Sequence, residues 1–157
     1  MIALFAALFA CSIPESDQRI VAAAPDRASF PPVADLLVHR CGTLDCHGSS
    51  FRNLRLYGHE GLRIAGRPSS QPNTTDAEYD QDFESIVGLE PERMSDVVTE
   101  RGAHPERLTF IRKARGTEDH KGGTLMKEGD VEDLCLTSWL AGRTDRLACA
   151  NARDAAF

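Results

Sequence analysis

The most constraining feature of this chain is a short stretch with the sequence RCGTLDCHGSS. It holds Cys41 and Cys46, separated by four residues, and places His47 directly after the second cysteine. One use of this pattern is a disulfide between the two cysteines, which makes no use of the histidine. Another is part of a zinc site, although such a site needs four ligands and the pair Cys135 and Cys149 does not repeat the spacing.

A covalently attached haem would use all three side chains of the stretch. In a c-type site two cysteines form thioethers with the porphyrin, and the next histidine ligates the iron from below, so Cys46 and His47 must be adjacent. The spacing C-x-x-x-x-C-H is longer than the common C-x-x-C-H, and a loop can absorb the extra residues by bulging, which Gly42 makes easier. The stretch therefore favours haem c, with thioethers at Cys41 and Cys46 and His47 as the proximal ligand. The disulfide and the zinc site stay as alternatives.

The N-terminal sequence MIALFAALFACS predicts export. Its apolar run is too short to cross a bilayer as a helix but has the length of a signal-peptide core, and a polar linker follows it. The ending LFAC resembles a bacterial lipobox, which implies a signal peptide at residues 1–10, a lipid on Cys11 and a linker over residues 11–29. Ser12 points towards an outer-membrane lipoprotein on the periplasmic side of the cell envelope. The alternative is a buried apolar N-terminal helix.

The five cysteines can all be assigned on this interpretation. With lipid on Cys11 and haem on Cys41 and Cys46, Cys135 and Cys149 are left as an even pair. An exported protein can join such a pair in a disulfide, which would tie the C-terminal tail to the last helix.

Size and charge limit the class of function. The 157 residues fit one domain and can bury a core. The formal net charge is -6 and no basic stripe is present, so nucleic acid is not expected as a partner. No nucleophile elbow, phosphate loop or zincin signature occurs, which leaves no positive case for a hydrolase or a nucleotide enzyme. An electron carrier is favoured over an enzyme, and the question stays open.

Apolar residues at helical spacing predict a mostly α fold. The expected helices cover residues 29–40, 76–88, 91–102, 104–116 and 130–142. Residues 53–66 are expected to form a short extended piece and a turn. The acidic stretch TTDAEYDQDFES lacks the ligand order of a calcium loop and is interpreted as a solvated helix face.

Several motifs in order resemble one protein family. RCGTLDCHG, NLRLYGHEGLR, HPERLTFIRKA and the closing DVEDLCLTSWLAG are similar to the cytochrome c-like domains of exported planctomycete and myxobacterial proteins. The resemblance implies a cytochrome c-like helical domain over residues 30–150 with a tail at 151–157. It also implies an N-terminal helix crossing a C-terminal helix that carries Trp139.

The resemblance further implies a second axial ligand from the segment HKGGTLM. Met126 is the usual ligand of a cytochrome c and would raise the potential. His120 is preferred here, because HKGG resembles the distal loops of family members that use histidine and no proline follows Met126. His39, His59 and His104 are interpreted as surface or capping residues.

The expected function is electron transfer by a single c-type haem, with redox proteins as partners and membrane contact through the lipid alone. The expected apolar pocket around the iron comprises Leu36, Leu37, Leu54, Leu56, Leu134 and Trp139. The alternative is a haem-free, disulfide-stabilised lipoprotein domain that serves as an interaction module of the envelope.

Overall fold

Helices account for the regular structure in residues 22–59, 61–66 and 72–154, the ranges that the computed structural model describes. Their bounds are α1 Pro31–Cys41, α2 Asp76–Val87, α3 Pro91–Thr99, a 3-10 turn at Pro105–Arg107, α4 Thr109–Ala114, α5 Val131–Leu140 and α6 Arg146–Asp154. Within these ranges the extended backbone pairs only at one bridge, between Tyr57 and Leu62. The prediction of a mostly α fold is confirmed.

The expected signal peptide, Cys11 and the first part of the linker lie outside the described ranges. No helix within those ranges is long and apolar enough to cross a membrane. The end of the linker is part of the packed structure, since Phe30 is fully buried and the Asp26 carbonyl accepts a hydrogen bond from the Trp139 indole.

Local signals begin the helices where the sequence predicts them. Pro31 opens α1, as suits a first-turn residue without an N–H donor. Thr75 and Glu78 form a reciprocal capping box at the start of α2. The Asp130 carboxylate accepts the backbone N–H of Asp133 and caps α5.

An aromatic cluster joins three of the helices. The Trp139 ring of α5 lies 4.9 Å from that of Phe30 and 6.2 Å from that of Phe83, measured between centroids. The two phenylalanine rings are 5.5 Å apart at 74°. Aromatic pairs of this geometry stabilise a core beyond the area they bury, and this cluster holds α1, α2 and α5 together.

The C-terminal helix α6 was not expected from the sequence. It runs to Asp154, past the predicted domain end at residue 150, and buries Ala148, Cys149 and Ala152 against α1 and α5. Small residues carry little hydrophobic signal, which explains why the periodicity did not predict a helix. A disulfide joins Cys149 to Cys135 of α5, as proposed from the cysteine count, with a Cα–Cα distance of 4.7 Å.

The helix predicted over residues 104–116 is interrupted. Leu108 is extended, with φ -82° and ψ 126°, and it separates the 3-10 turn from α4. The Glu90 carboxylate, which precedes α3, accepts the N–H of Thr109 at 2.6 Å. This tertiary hydrogen bond satisfies one of the free donors at the start of α4, so the helix can begin there.

The acidic stretch of α2 is a solvated face only in part: Asp76, Asp80 and Glu84 are exposed, as expected, but two of its acids are not. Glu78 and Asp82 are both fully buried. Burial disfavours the charge of Glu78, but hydrogen bonds from Arg63 and Thr75 hold its pKa below the ordinary value. The Arg63 guanidinium makes two of these bonds, at 2.7 and 3.0 Å, and fixes the 57–64 segment to α2.

Removing the disulfide should weaken the fold. Replacing Cys135 and Cys149 together by alanine is expected to lower the free energy of unfolding by about 2–4 kcal/mol, since the bond closes a loop in the unfolded chain. Urea unfolding followed by circular dichroism measures the loss, and reduced wild-type protein should match the variant. An unchanged urea midpoint would contradict the stabilising role.

Candidate functional site

A cavity of about 540 Å³ opens between α1, α4, α5 and the segments around His47 and His120. Its volume lies within the range of roughly 300–1,000 Å³ that is usual for small-molecule and cofactor sites. The wall is mainly apolar. Its apolar members are Leu36, Leu37, Phe51, Leu54, Leu89, Phe110, Ala114, Leu125, Met126 and Leu136.

Half of the expected apolar pocket lines this cavity. Leu36, Leu37 and Leu54 do so, whereas Leu56 and Trp139 are buried away from it. Leu134 was wrongly predicted, since it is 45% exposed and Leu136 lines the cavity in its place. Helix α5 is oriented so that Cys135 joins α6 through the disulfide while Leu136 faces the cavity.

The stretch after α1 folds into a compact turn. The N–H of His47 donates to the carbonyl of Cys41 at 2.9 Å, and the N–H groups of Cys46 and Gly48 both donate to the carbonyl of Thr43 at 2.9 Å. The extra residues between the cysteines are therefore taken up by a hydrogen-bonded turn.

Glycines make this turn possible. A Cβ atom on Gly48 would lie 1.9 Å from the carbonyl oxygen of Gly42, and one on Gly61 would lie 1.8 Å from the same oxygen. No side chain fits at such a distance, so the three backbones pack directly on one another. Gly42 itself has an ordinary φ of -84°, and its role is this close approach.

The His47 imidazole is held by the backbone. Its Nδ1 lies 3.1 Å from the carbonyl oxygen of Leu54. A carbonyl only accepts, so we assign the proton to Nδ1, which leaves Nε2 with a free lone pair. Burial lowers the pKa of His47, the neighbouring His120 and Arg52 lower it further, and the hydrogen bond to the Leu54 carbonyl opposes them. The neutral imidazole is the form that binds a metal.

His120 lines the same cavity as His47, and the two rings lie close together. The centroids of the two rings are 6.0 Å apart and their planes differ by 24°. The two imidazoles therefore form a near-parallel pair within one cavity lining. Nδ1 of His120 is buried and has no hydrogen-bond partner in the described part of the chain.

Gly122 allows the HKGG loop to pack on this imidazole. A Cβ atom there would lie 2.9 Å from Cε1 of His120. Met126, the alternative ligand, also lines the cavity, and it is 4% exposed. Its N–H donates to the carbonyl of Ala114 at 3.1 Å. Both residues predicted as possible second ligands, His120 and Met126, therefore line the same cavity as His47. His120 also lies in ring contact with His47.

Cys41 and Cys46 are both free thiols in the structure. Cys41 lines the cavity, and burial, with Cys46 nearby, raises the pKa of its thiol to about 12 against the opposing charge of Arg40. Zinc binds thiolates, which this environment disfavours. No group of three or more histidine, cysteine or acidic side chains in the described ranges is arranged to hold a metal ion. The zinc alternative therefore gains no support.

The other histidines lie elsewhere. His39 and His59 line a separate cavity of about 340 Å³, and exposed His104 lies 3.1 Å from the Glu106 carboxylate. None of the three borders the cavity of His47 and His120.

Charged residues at the cavity were not found from the sequence. Arg40 and Glu132 form an ion pair in the wall, with each side chain 12% exposed. Arg52 donates to the carbonyls of Asp45 and Cys46, at 3.3 Å each, and braces the turn. The sequence could not show that Arg40 pairs with Glu132, because the two residues are far apart in the chain. The position of Arg40 beside Cys41 could still have suggested that Arg40 lies at the cavity.

Comparisons with known proteins add no family to these observations. No protein-family model, no curated protein and no solved structure matches the chain. Its function must be inferred from the cavity and the side chains around it.

Proposed function

We propose that this chain is a cytochrome c-like protein of the cell envelope that transfers single electrons through one c-type haem. The observation that carries the proposal is the apolar cavity lined by both His47 and His120, whose rings lie 6.0 Å apart. When bound there, haem would supply an iron that changes its oxidation state by one electron.

The residues present fit this group. Cys41 is a free thiol in the wall, and Cys46 is a free thiol beside His47, so the two could hold the porphyrin through thioether bonds. The neutral His47 ring offers Nε2, and the buried His120 ring has a nitrogen that no described residue satisfies. A buried polar atom without a partner costs free energy, which makes ligation of that ring favourable.

The remaining wall would serve the electron transfer by its rigidity and low polarity. Leu36, Leu37 and Leu136 would exclude water from the metal, and exclusion of water tunes its potential. The Leu54 carbonyl fixes the orientation of the His47 ring and raises its basicity as a ligand.

Covalent haem is the first expected result. Protein made in a host with c-type haem maturation should show a Soret band, and its haem should stay on the denatured chain, because thioethers survive denaturation. Cys46→Ala should lose most of the haem stain on a denaturing gel. The matched control is Cys135→Ala with Cys149→Ala, which removes two cysteines away from the cavity and should keep the stain.

A colourless protein with Cys41 and Cys46 oxidised would contradict the proposal. That result would favour the haem-free, disulfide-stabilised interaction module instead.

The distal ligand gives a second expected result. His120→Ala should convert a six-coordinate, low-spin haem spectrum into a high-spin one, because the second histidine ring is lost. Met126→Leu keeps the volume of the side chain and should leave the spectrum unchanged. The opposite pattern would assign the sixth position to Met126, and absorption or resonance Raman spectra decide between them.

Location in the envelope is the third part of the proposal. It is supported by the lipobox-like LFAC sequence and by a disulfide, which persists in oxidising compartments. Fractionated cells should hold the protein in the outer membrane, and Cys11→Ser should move it out of the membrane fraction because the lipid anchor is lost. Unchanged membrane association of Cys11→Ser would contradict the lipid anchor. Redox proteins are the proposed partners.

A further inference from the structure

One peptide group connects His47 to helix α2. The carbonyl of Leu54 faces Nδ1 of His47, and the N–H of the same peptide, on Arg55, donates to the Ser85 hydroxyl at 2.9 Å. Hydrogen bonds in such a chain polarise one another. The hydrogen-bond chain that orients the His47 ring therefore continues to Ser85 of α2.

A second hydrogen bond fixes the same segment one helical turn earlier. The Asp82 carboxylate accepts the N–H of Tyr57 at 2.6 Å. Asp82 and Ser85 are three residues apart and share a face of α2. Between their attachment points lies Leu56, which is fully buried and donates its N–H to the carbonyl of His47 at 2.8 Å.

Asp82 is a buried acid with an unused oxygen. Its side chain is fully buried, and Oδ2 has no hydrogen-bond partner in the described ranges. Burial raises the pKa of Asp82 to about 8. Glu78 of α2 and Asp35 of α1 raise it too, whereas the Tyr57 N–H and the Arg27 charge lower it. Asp82 therefore exchanges its proton near neutral pH.

We propose that Asp82 is a positioning residue for His47 whose proton is linked to the oxidation state of the bound haem. The inference rests on the function proposed above. Oxidation adds one positive charge to the iron, and an ionised Asp82 favours that charge through a poorly screened interior. By linkage, reduction favours protonation. An electron donor protein supplies the electron, and solvent supplies the proton that converts the carboxylate to the acid.

Redox titration over the pH range on either side of 8 tests the link. The wild-type potential should fall as pH rises through this range, by up to about 59 mV for each tenfold drop in proton concentration. Asp82→Asn keeps the shape and should flatten the response. The matched control is Glu84→Gln, on the same helix and exposed, which should keep the wild-type slope because water screens that charge.

A second readout is the pH dependence of stability in the protein as purified. The folded pKa is raised, so the folded chain keeps a proton that the unfolded chain releases, and wild-type stability should fall from about pH 4 to about pH 8. Asp82→Asn should remove this fall, and the melting-temperature difference between the two proteins should grow across that window.

The outcomes separate this inference from the proposed function. Bound haem with equal pH slopes in wild type and Asp82→Asn overturns the role of Asp82 and leaves the electron-transfer function standing. A stability difference that is constant with pH overturns it as well. A protein without haem overturns the proposed function and, with it, the inference that rests on it.

Discussion

The site depends on one backbone contact, the approach of Gly48 and Gly61 to the carbonyl oxygen of Gly42. Side chains at these positions would overlap that oxygen, at 1.9 and 1.8 Å from the missing Cβ atoms. Direct backbone packing lets the turn after α1 close and brings the following segment back along it. Only then can the Leu54 carbonyl reach the His47 ring. The position of the His47 ring thus follows from the glycines, where the chain has no side chains.

Much of the fold follows from local sequence. Helix starts at Pro31, Thr75 and Asp130 use residues that stabilise the first turn wherever they occur, so they could be predicted without knowing the fold. The burial of Glu78 and Asp82 in α2 could not be predicted from local sequence. Glu78 can be buried because Arg63, from another segment, pairs with it. The spacing of apolar residues along the chain does not indicate such a partner.

The candidate site also has features that the sequence shows and features that only the tertiary structure determines. The adjacency of Cys46 and His47 is local and is visible in the sequence. The choice between His120 and Met126 depends on how a glycine-containing loop folds over the cavity, which spacing does not determine. The exchange of Leu134 for Leu136 has a tertiary cause as well, because which of the two faces the cavity depends on the rotation of α5 in the packed fold.

The two histidines are held differently, and this has a consequence for the proposed cofactor. His47 is fixed on its outer side by the Leu54 carbonyl, and α2 supports that peptide through Ser85. His120 has a buried Nδ1 without a described partner, in a loop held by backbone bonds such as that from Gly123. The fold therefore orients the His47 ring by itself, whereas a buried nitrogen of the His120 ring still lacks a partner in the described residues. In the proposed function, a bound group that contacted this nitrogen would stabilise the loop as well.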